Sequence, residues 1–528
     1  MKLKSAGKFF AYVGKHFPVM CASGAFEFMP PVNDAAQWLD RLDDLSKPGI
    51  AKHVARLKKF RQEFEAARAK AETPQDRATA RALATSAGWA ASELDQVRTW
   101  EKAPELYLQV AFTGLEQSVG LPSKDAPTRE KRFLKRLRAV PALLAQAPLN
   151  IEAASPASRA TAQTMIRDCA RFLSGLEKSD LGRVGKAPRL LAEALAALRE
   201  FDRFVASRPE VPESEGPPFS RMVTDMIGEE RRAKDILAVA EEEYRCRLDE
   251  LQRLESALGK PWQEALAAYD GPAEPGMTAL DAVIREMHRL RAFVYETAMP
   301  GVFCDSGLRV DPLPLHLAST LRPIHYDPAL GAWPGEQSRC HVSPQLFTGR
   351  GFRDDPARLK RMRREYLFMT ARQTYPGRHL LDSQRRALGD SPMAQITNPL
   401  FMAGWLAMAE DLLEELGYLT TDLDRLVHHH RGLCRAGLAM VDAGLAEGCL
   451  DQDRCLSILE GAGYSREEAL DRVRAIRLTP ASRVMPLIGL AELSELRRRS
   501  GLDAPAFCAK LFMGGQLPPD HLPDVLLA

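Results

Sequence analysis

Apolar residues recur at threes and fours along most of the chain. In DILAVAEEEYRCRLDELQRLESAL, residues Leu237, Ala240, Tyr244, Leu248, Leu251 and Leu258 fall on one stripe with charges on the opposite face. That spacing is the period of a helix with one side turned to a core, and it predicts that Leu237, Tyr244, Leu248 and Leu251 are mostly buried. The segment after Thr278 repeats the pattern with Leu280, Val283, Ile284, Met287, Leu290 and Val294. Pro188 opens another run, with Leu191, Ala194, Leu195, Leu198, Phe201 and Val205, since proline is tolerated in a first helical turn. Ser465 with Glu468 has the spacing of a capping box.

Period-two stretches are few. GLRVDPLPL (307–315) and SRCHVSP (338–344) suggest a short hairpin or small sheet, with the Pro- and Gly-rich HYDPALGAWPGEQ between them as connection. The strongest break is SRPEVPESEGPPFS (207–220), with Pro209, Pro212, Pro217 and Pro218 and no apolar period. The expected fold is mainly α: a large helical assembly with a small β element near 307–344. The break divides it into an N-terminal helical half, 1–206, and a C-terminal helical half, 221–528, unless the chain forms one continuous domain.

Composition narrows the function classes. The 528 residues include 72 lysines and arginines against 70 acids, a net charge of +2. Such a balance offers no footprint for nucleic acid and no attraction to an acidic membrane surface. No stretch approaches the length of uncharged apolar sequence that a membrane helix needs. The nine cysteines (Cys21, Cys169, Cys246, Cys304, Cys340, Cys434, Cys449, Cys455 and Cys508) are odd in number and form no CxxC pair, which fits reduced, mostly buried thiols. Near the N-terminus, Lys15 and His16 interrupt the apolar run of a secretory signal, and Cys21 follows Met20 rather than a small residue. The expected compartment is the cytoplasm. The chain has no GxSxG elbow, no GxxxxGK[ST] phosphate loop and no GxGxxG after a strand, and GRGF (349–352) is too short to signal phosphate.

Two ordered segments, ARQTYPGRHLL (371–381) and MAGWLAMAEDLLEELGYL (402–419), resemble the bacterial domain-of-unknown-function 885 family. Tyr375, Pro376, Gly377, His379 and Leu380 match its HEAYPGHHLQ-like segment; Gly404, Trp405, Ala409, Glu410, Leu412, Glu415, Leu416 and Gly417 match its EGWALYAERLAEELG-like one. The likeness extends upstream through LRPIHYDP and downstream through GYSREEALDRVRAIRLTPASRVMPLIG to GQLPPDHLPDVLL, covering most of the chain. It implies a large, mainly helical fold like that of a zinc metallopeptidase, with a central cleft.

The departures fall where that resemblance would place metal chemistry. Arg372 and Gln373 stand for the family's His-Glu pair, Arg378 for the first of its paired histidines, and Ala403 for the glutamate before Gly-Trp. Further on, Ala475-Ile476 replaces Arg-Tyr, and Pro486 occupies a tyrosine position. Arginine has no lone pair to give a cation, and the amide of glutamine cannot take a proton from a metal-bound water. The expectation is a degenerate site with no catalytic residues, no metal and no cofactor. Its cleft candidates are Arg372, Gln373, Tyr375, Arg378, His379, Ala403, Trp405 and Glu410.

In that reading the Pro-rich break precedes two helices, 355–375 and 400–416, packed side by side, with Arg372, His379 and Glu410 facing one cleft. A guanidinium fills roughly the space of the lost cation and pairs with Glu410 or a neighbouring acid. The plainer alternative leaves Arg372 and Arg378 as solvated helix charges. His379, the retained histidine, is more often a hydrogen-bonded cleft or core residue than a ligand, and Trp405 is at least as well read as a packed anchor. His428, His429 and His430 point about 100° apart on a helix, cannot all converge on one ion, and read as a solvated face. His316, His325 and His341 remain candidates for substrate contacts.

Three functions stay open. The favoured one is a metallopeptidase-like protein that binds a peptide or small anionic ligand without hydrolysing it. The second is an active hydrolase of the same family with a relocated metal or none, and the third is a structural or assembly protein.

Overall fold

A computed structural model describes residues 4–212, 215–228, 230–274, 276–333, 335–348 and 356–526; GRGF (349–352) lies outside them. The chain is 69% helix and 3% strand, the mainly α fold the periodicity predicts. No helix among the described residues is long and apolar enough to cross a membrane. It divides into two compact units: 1–67, 86–214 and 307–343 form the first, and 68–85, 215–306 and 344–528 the second.

The first unit is built around the Pro104–Gly120 helix, whose Leu106, Tyr107, Leu108, Val110, Ala111, Phe112 and Leu115 are all buried. The Ala187–Ser207 helix turns Leu191, Ala194, Leu198, Phe201 and Val205 inward, as their spacing requires. This unit also holds the sheet, in the order β1-β3-β2: β1 is Leu308–Pro312, β2 Ile324–Asp327 and β3 Ser338–Val342. The two expected strands do pair, but in parallel, so they form no hairpin. The antiparallel partner is β2, which overlaps the start of the stretch read as connection. Ile324 and Tyr326 supply enough apolar surface to bury this short strand, and a parallel pair needs such an intervening crossover.

The second unit centres on the Pro399–Glu415 helix, with thirteen residues buried. Asn398 caps it by accepting from the Phe401 N–H. The Met485–Ser500 helix lies against it at a glycine pair. A Cβ on Gly404 would come within 2.4 Å of the Gly489 backbone, so this helix contact depends on hydrogen at position 404. Gly404→Ala should therefore destabilise by about 1–3 kcal/mol by overpacking, despite alanine's better helix propensity. A leftward shift of the urea midpoint checks this; an unchanged or raised midpoint would refute the close-packing account.

Thr278 caps the Ala279–Ala292 helix, and the Ser465–Glu468 capping box is fully formed. The Ala233–Leu258 helix corrects one expectation. Only Leu251 of the four predicted residues is fully buried, whereas Leu237, Tyr244 and Leu248 are half-buried and Ile236 and Ala240 complete the inner seam. The Asp422–Glu447 helix opposite presents glycines there. Arg247 lies over Gly432 and Tyr244 over Gly437, so long amphipathic side chains cover the seam instead of a wide apolar face.

Candidate functional site

Five helices of the second unit build a cleft of about 250 Å³. Pro356–Gln373 contributes Arg361, Glu365 and Arg372, and Pro399–Glu415 contributes Glu410. Asp422–Glu447 adds Arg431, Cys434, Arg435 and Leu438; Arg483 and Pro486 come from the start of the Met485–Ser500 helix and the turn before it. Tyr464, Arg472 and Ser482 complete the wall. The first two helices pack against each other as expected.

Glu410 is the electrostatic centre. Its carboxylate accepts from Arg431 Nη2 at 2.8 Å and lies 3.7 Å from Arg435 Nη1 and 3.8 Å from Arg372 Nη1. Burial alone would raise its pKa, but Arg431, Arg435 and Arg372 outweigh that and hold it at about 2. Arg431 is shared with Glu365, and Arg361 pairs with Glu468 at 2.9 Å. The wall still carries six arginines against Glu365 and Glu410. Among the described residues, Arg435 Nε and Nη2 and Arg361 Nε are buried without a hydrogen-bond acceptor. Burial pushes the Cys434 thiol up to about 11, so it offers no thiolate nucleophile at neutral pH.

The structure brings Arg372 and Glu410 together in this wall. Pro486, the residue at the tyrosine position of the resemblance, is there too. The remaining candidates are placed otherwise. Gln373 is buried, its Oε1 without a hydrogen-bond partner among the described residues. Tyr375 is buried and donates to Asp305 Oδ1 at 3.2 Å. His379 is fully buried; its Nε2–H donates to the Ser306 carbonyl at 2.9 Å, and burial lowers its pKa to about 4, leaving it neutral. Gly377 before it is required sterically, because a Cβ there would sit 2.2 Å from the Arg372 carbonyl oxygen. Trp405 is a packed anchor, with its indole N–H on the Pro376 carbonyl at 3.0 Å and its ring against Phe512. Arg378 and Ala403 are half-buried on their helices.

The sequence reading missed Arg361, Glu365, Arg431, Arg435, Arg472 and Arg483. A signal was present: 361, 365 and 372, and 431, 435 and 438, follow the i, i+4, i+7 and i+11 spacing of single helix faces, carried here by charge. The histidine run is a second correction. His428, His429 and His430 form no solvated face: all three are buried, because their helix lies between neighbours. His430 bonds the Ala462 carbonyl at 3.0 Å, while His428 and His429 meet Asp411 and Glu414.

The other three candidate histidines, His316, His325 and His341, belong to the first unit. His325 and His341 are cross-strand neighbours, each 3.2 Å from one oxygen of Asp327. Burial would raise Asp327, but the two imidazoles hold it well below the usual range. His316 stacks on Phe172 and lies 3.3 Å from Glu116.

A family described as "Bacterial protein of unknown function (DUF885)" matches residues 32–526. No curated protein matches the chain. Among solved structures, a "putative lipoprotein of unknown function" from Shewanella oneidensis is similar at 16% identity, with 93% of this chain and 94% of that one covered and a TM-score of 0.65. A "putative lipoprotein" from Colwellia psychrerythraea is similar at 13% identity over 98% of both chains, with a TM-score of 0.70. These likenesses show a shared fold.

Proposed function

The chain belongs to the bacterial DUF885 family of unknown function, and from that premise we propose that it is a catalytically degenerate, metallopeptidase-like protein whose arginine-lined cleft binds a small anion or the carboxylate end of a peptide without hydrolysing it. One observation carries the reading: six guanidinium groups face two carboxylates in one cleft, with buried N–H donors of Arg435 and Arg361 still lacking acceptors. Guanidinium groups grip carboxylate and phosphate oxygens two at a time, and an anion there would satisfy donors that are otherwise costly to bury.

The residues beside the cleft support binding over hydrolysis. Arg372 already occupies Glu410, Gln373 cannot act as a base, and the Cys434 thiol stays protonated at neutral pH. Nucleic acid and membrane have no place in this proposal, because the charge balance favours neither. The compartment is also a proposal. Nine free thiols favour the reducing cytoplasm, whereas the two structural neighbours carry the word lipoprotein in their descriptions; cell fractionation separates the two.

The test is a thermal-shift and calorimetric series with inorganic phosphate, acetate and a free dipeptide. At least one should stabilise the protein, since a ligand at 100 times its Kd adds about 2.7 kcal/mol. Arg435→Ala should abolish the shift. No stabilisation by any of the three, or an equal shift in Arg435→Ala, would count against the cleft as the binding site.

A further inference from the structure

Away from the arginine cleft, Asp411 and Glu414 of the Pro399–Glu415 helix meet His428 and His429 of the Asp422–Glu447 helix. Among the described residues, Glu414, His428 and His429 are the one group of three or more His, Cys, Asp or Glu whose ligand atoms all lie within 4.8 Å of one another. We propose that Glu414, His428 and His429, with Asp411 beside them, form a binding site for a divalent transition-metal ion such as zinc.

The geometry is close to that of a coordination shell. Glu414 Oε1 is 3.1 Å from His429 Nε2, Glu414 Oε2 is 3.4 Å from His428 Nε2, and Asp411 Oδ1 is 3.2 Å from the same nitrogen. Zinc–ligand bonds of about 2.0–2.1 Å give a tetrahedron with edges of about 3.3 Å. Adjacent histidines on a helix diverge, yet these two rings, 5.0 Å apart, reach the same carboxylate because Glu414 receives one on each oxygen. Two imidazoles and one carboxylate, His428, His429 and Glu414, are a zinc-type donor set, and Asp411 stands beside His428. Glu414 is half-exposed while His428 and His429 are buried, so Glu414 forms the outer edge by which an ion can enter.

One resident cation competes. Arg247 pairs with Glu243 and Asp411, and its Nη1 lies 3.3 Å from His428 Nε2 and 3.4 Å from His429 Nδ1. Glu243, Asp411 and Glu414 all lie around this one guanidinium, so the carboxylates outnumber the resident cation. A metal on His429 Nε2 places a proton on Nδ1, facing the Arg247 N–H, so the arginine must swing towards Glu243. Arg247 thus sets the affinity: it holds the ligands together in the metal-free protein and opposes the ion that replaces it.

The experiment is titration of the chelator-treated full-length protein with Zn²⁺ by calorimetry and with Co²⁺ by visible absorption, in wild type, His429→Asn, His428→Gln and Arg247→Met. The expected result is one ion per chain, with tetrahedral cobalt bands, weakened by more than about tenfold in each histidine variant. Arg247→Met keeps the side-chain stem over Gly432 and should bind more tightly than wild type. Circular dichroism confirms that each variant is folded. Absence of saturable binding in both wild type and Arg247→Met, or undiminished binding in folded His429→Asn, would overturn the proposal.

Discussion

Replacing Glu410 by glutamine is expected to destabilise the protein by about 3–5 kcal/mol, because removing one partner of a buried ion pair leaves the others uncompensated. Arg431, Arg435 and Arg372 all point their charge at this carboxylate, which is 2% exposed. The sign of the pH dependence follows from its lowered pKa. The carboxyl group ordinarily titrates at 4.5 and in the fold at about 2, so its contribution is complete above 4.5 and is lost as pH falls through about 2. The gap in urea midpoint between wild type and Glu410→Gln should therefore be widest near neutrality and narrow below pH 4.5. A pH-independent gap, or none, would show that the three arginines are satisfied without Glu410. Phosphate should partly rescue the variant, by supplying the lost negative charge to the same guanidinium groups.

The second large effect is a gain rather than a loss. The unaltered protein should show no chelator-sensitive hydrolysis of aminopeptidase or carboxypeptidase substrates. Zinc found in it should disappear with His428→Gln or His429→Asn and persist in Arg372→Ala. Arg372→His alone removes an ion pair of Glu410 without completing a donor set, so it should lower stability and add no metal. The combined change Arg372→His, Gln373→Glu, Arg378→His and Ala403→Glu restores the pattern of the resemblance and should create a second zinc equivalent, independent of His429. Turnover should remain absent while Pro486 holds the tyrosine position. Hydrolysis abolished by a chelator in the unaltered protein would refute the degenerate-site proposal and favour an active hydrolase. Failure of the combined variant to take up zinc would show that the helices no longer hold the positions in ligand geometry.

The sequence by itself determined the helical class, because apolar spacing of three and four residues dictates which faces can leave water. Leu191, Leu198 and Phe201 on one helix and Val283, Met287 and Leu290 on another follow it to burial. Local hydrogen-bond chemistry was equally legible, as in the Ser465–Glu468 box. So was the adjacency of the two motif helices, where Arg372 reaches Glu410. What only the tertiary structure decided are matters of long-range partnership. The pairing of β1 with β3, and the recruitment of β2, depend on strands meeting across a crossover that no local period encodes. The seam of the Ala233–Leu258 helix moved because Gly432 and Gly437 on a helix nearly two hundred residues away make room for Arg247 and Tyr244. Arg431 and Arg435 became cleft residues, and His428 and His429 partners of Glu414, because one helix is flanked on several sides. Periodicity says that a polar face exists, whereas the packing of neighbouring helices decides whether that face meets water, an opposite charge or a ligand.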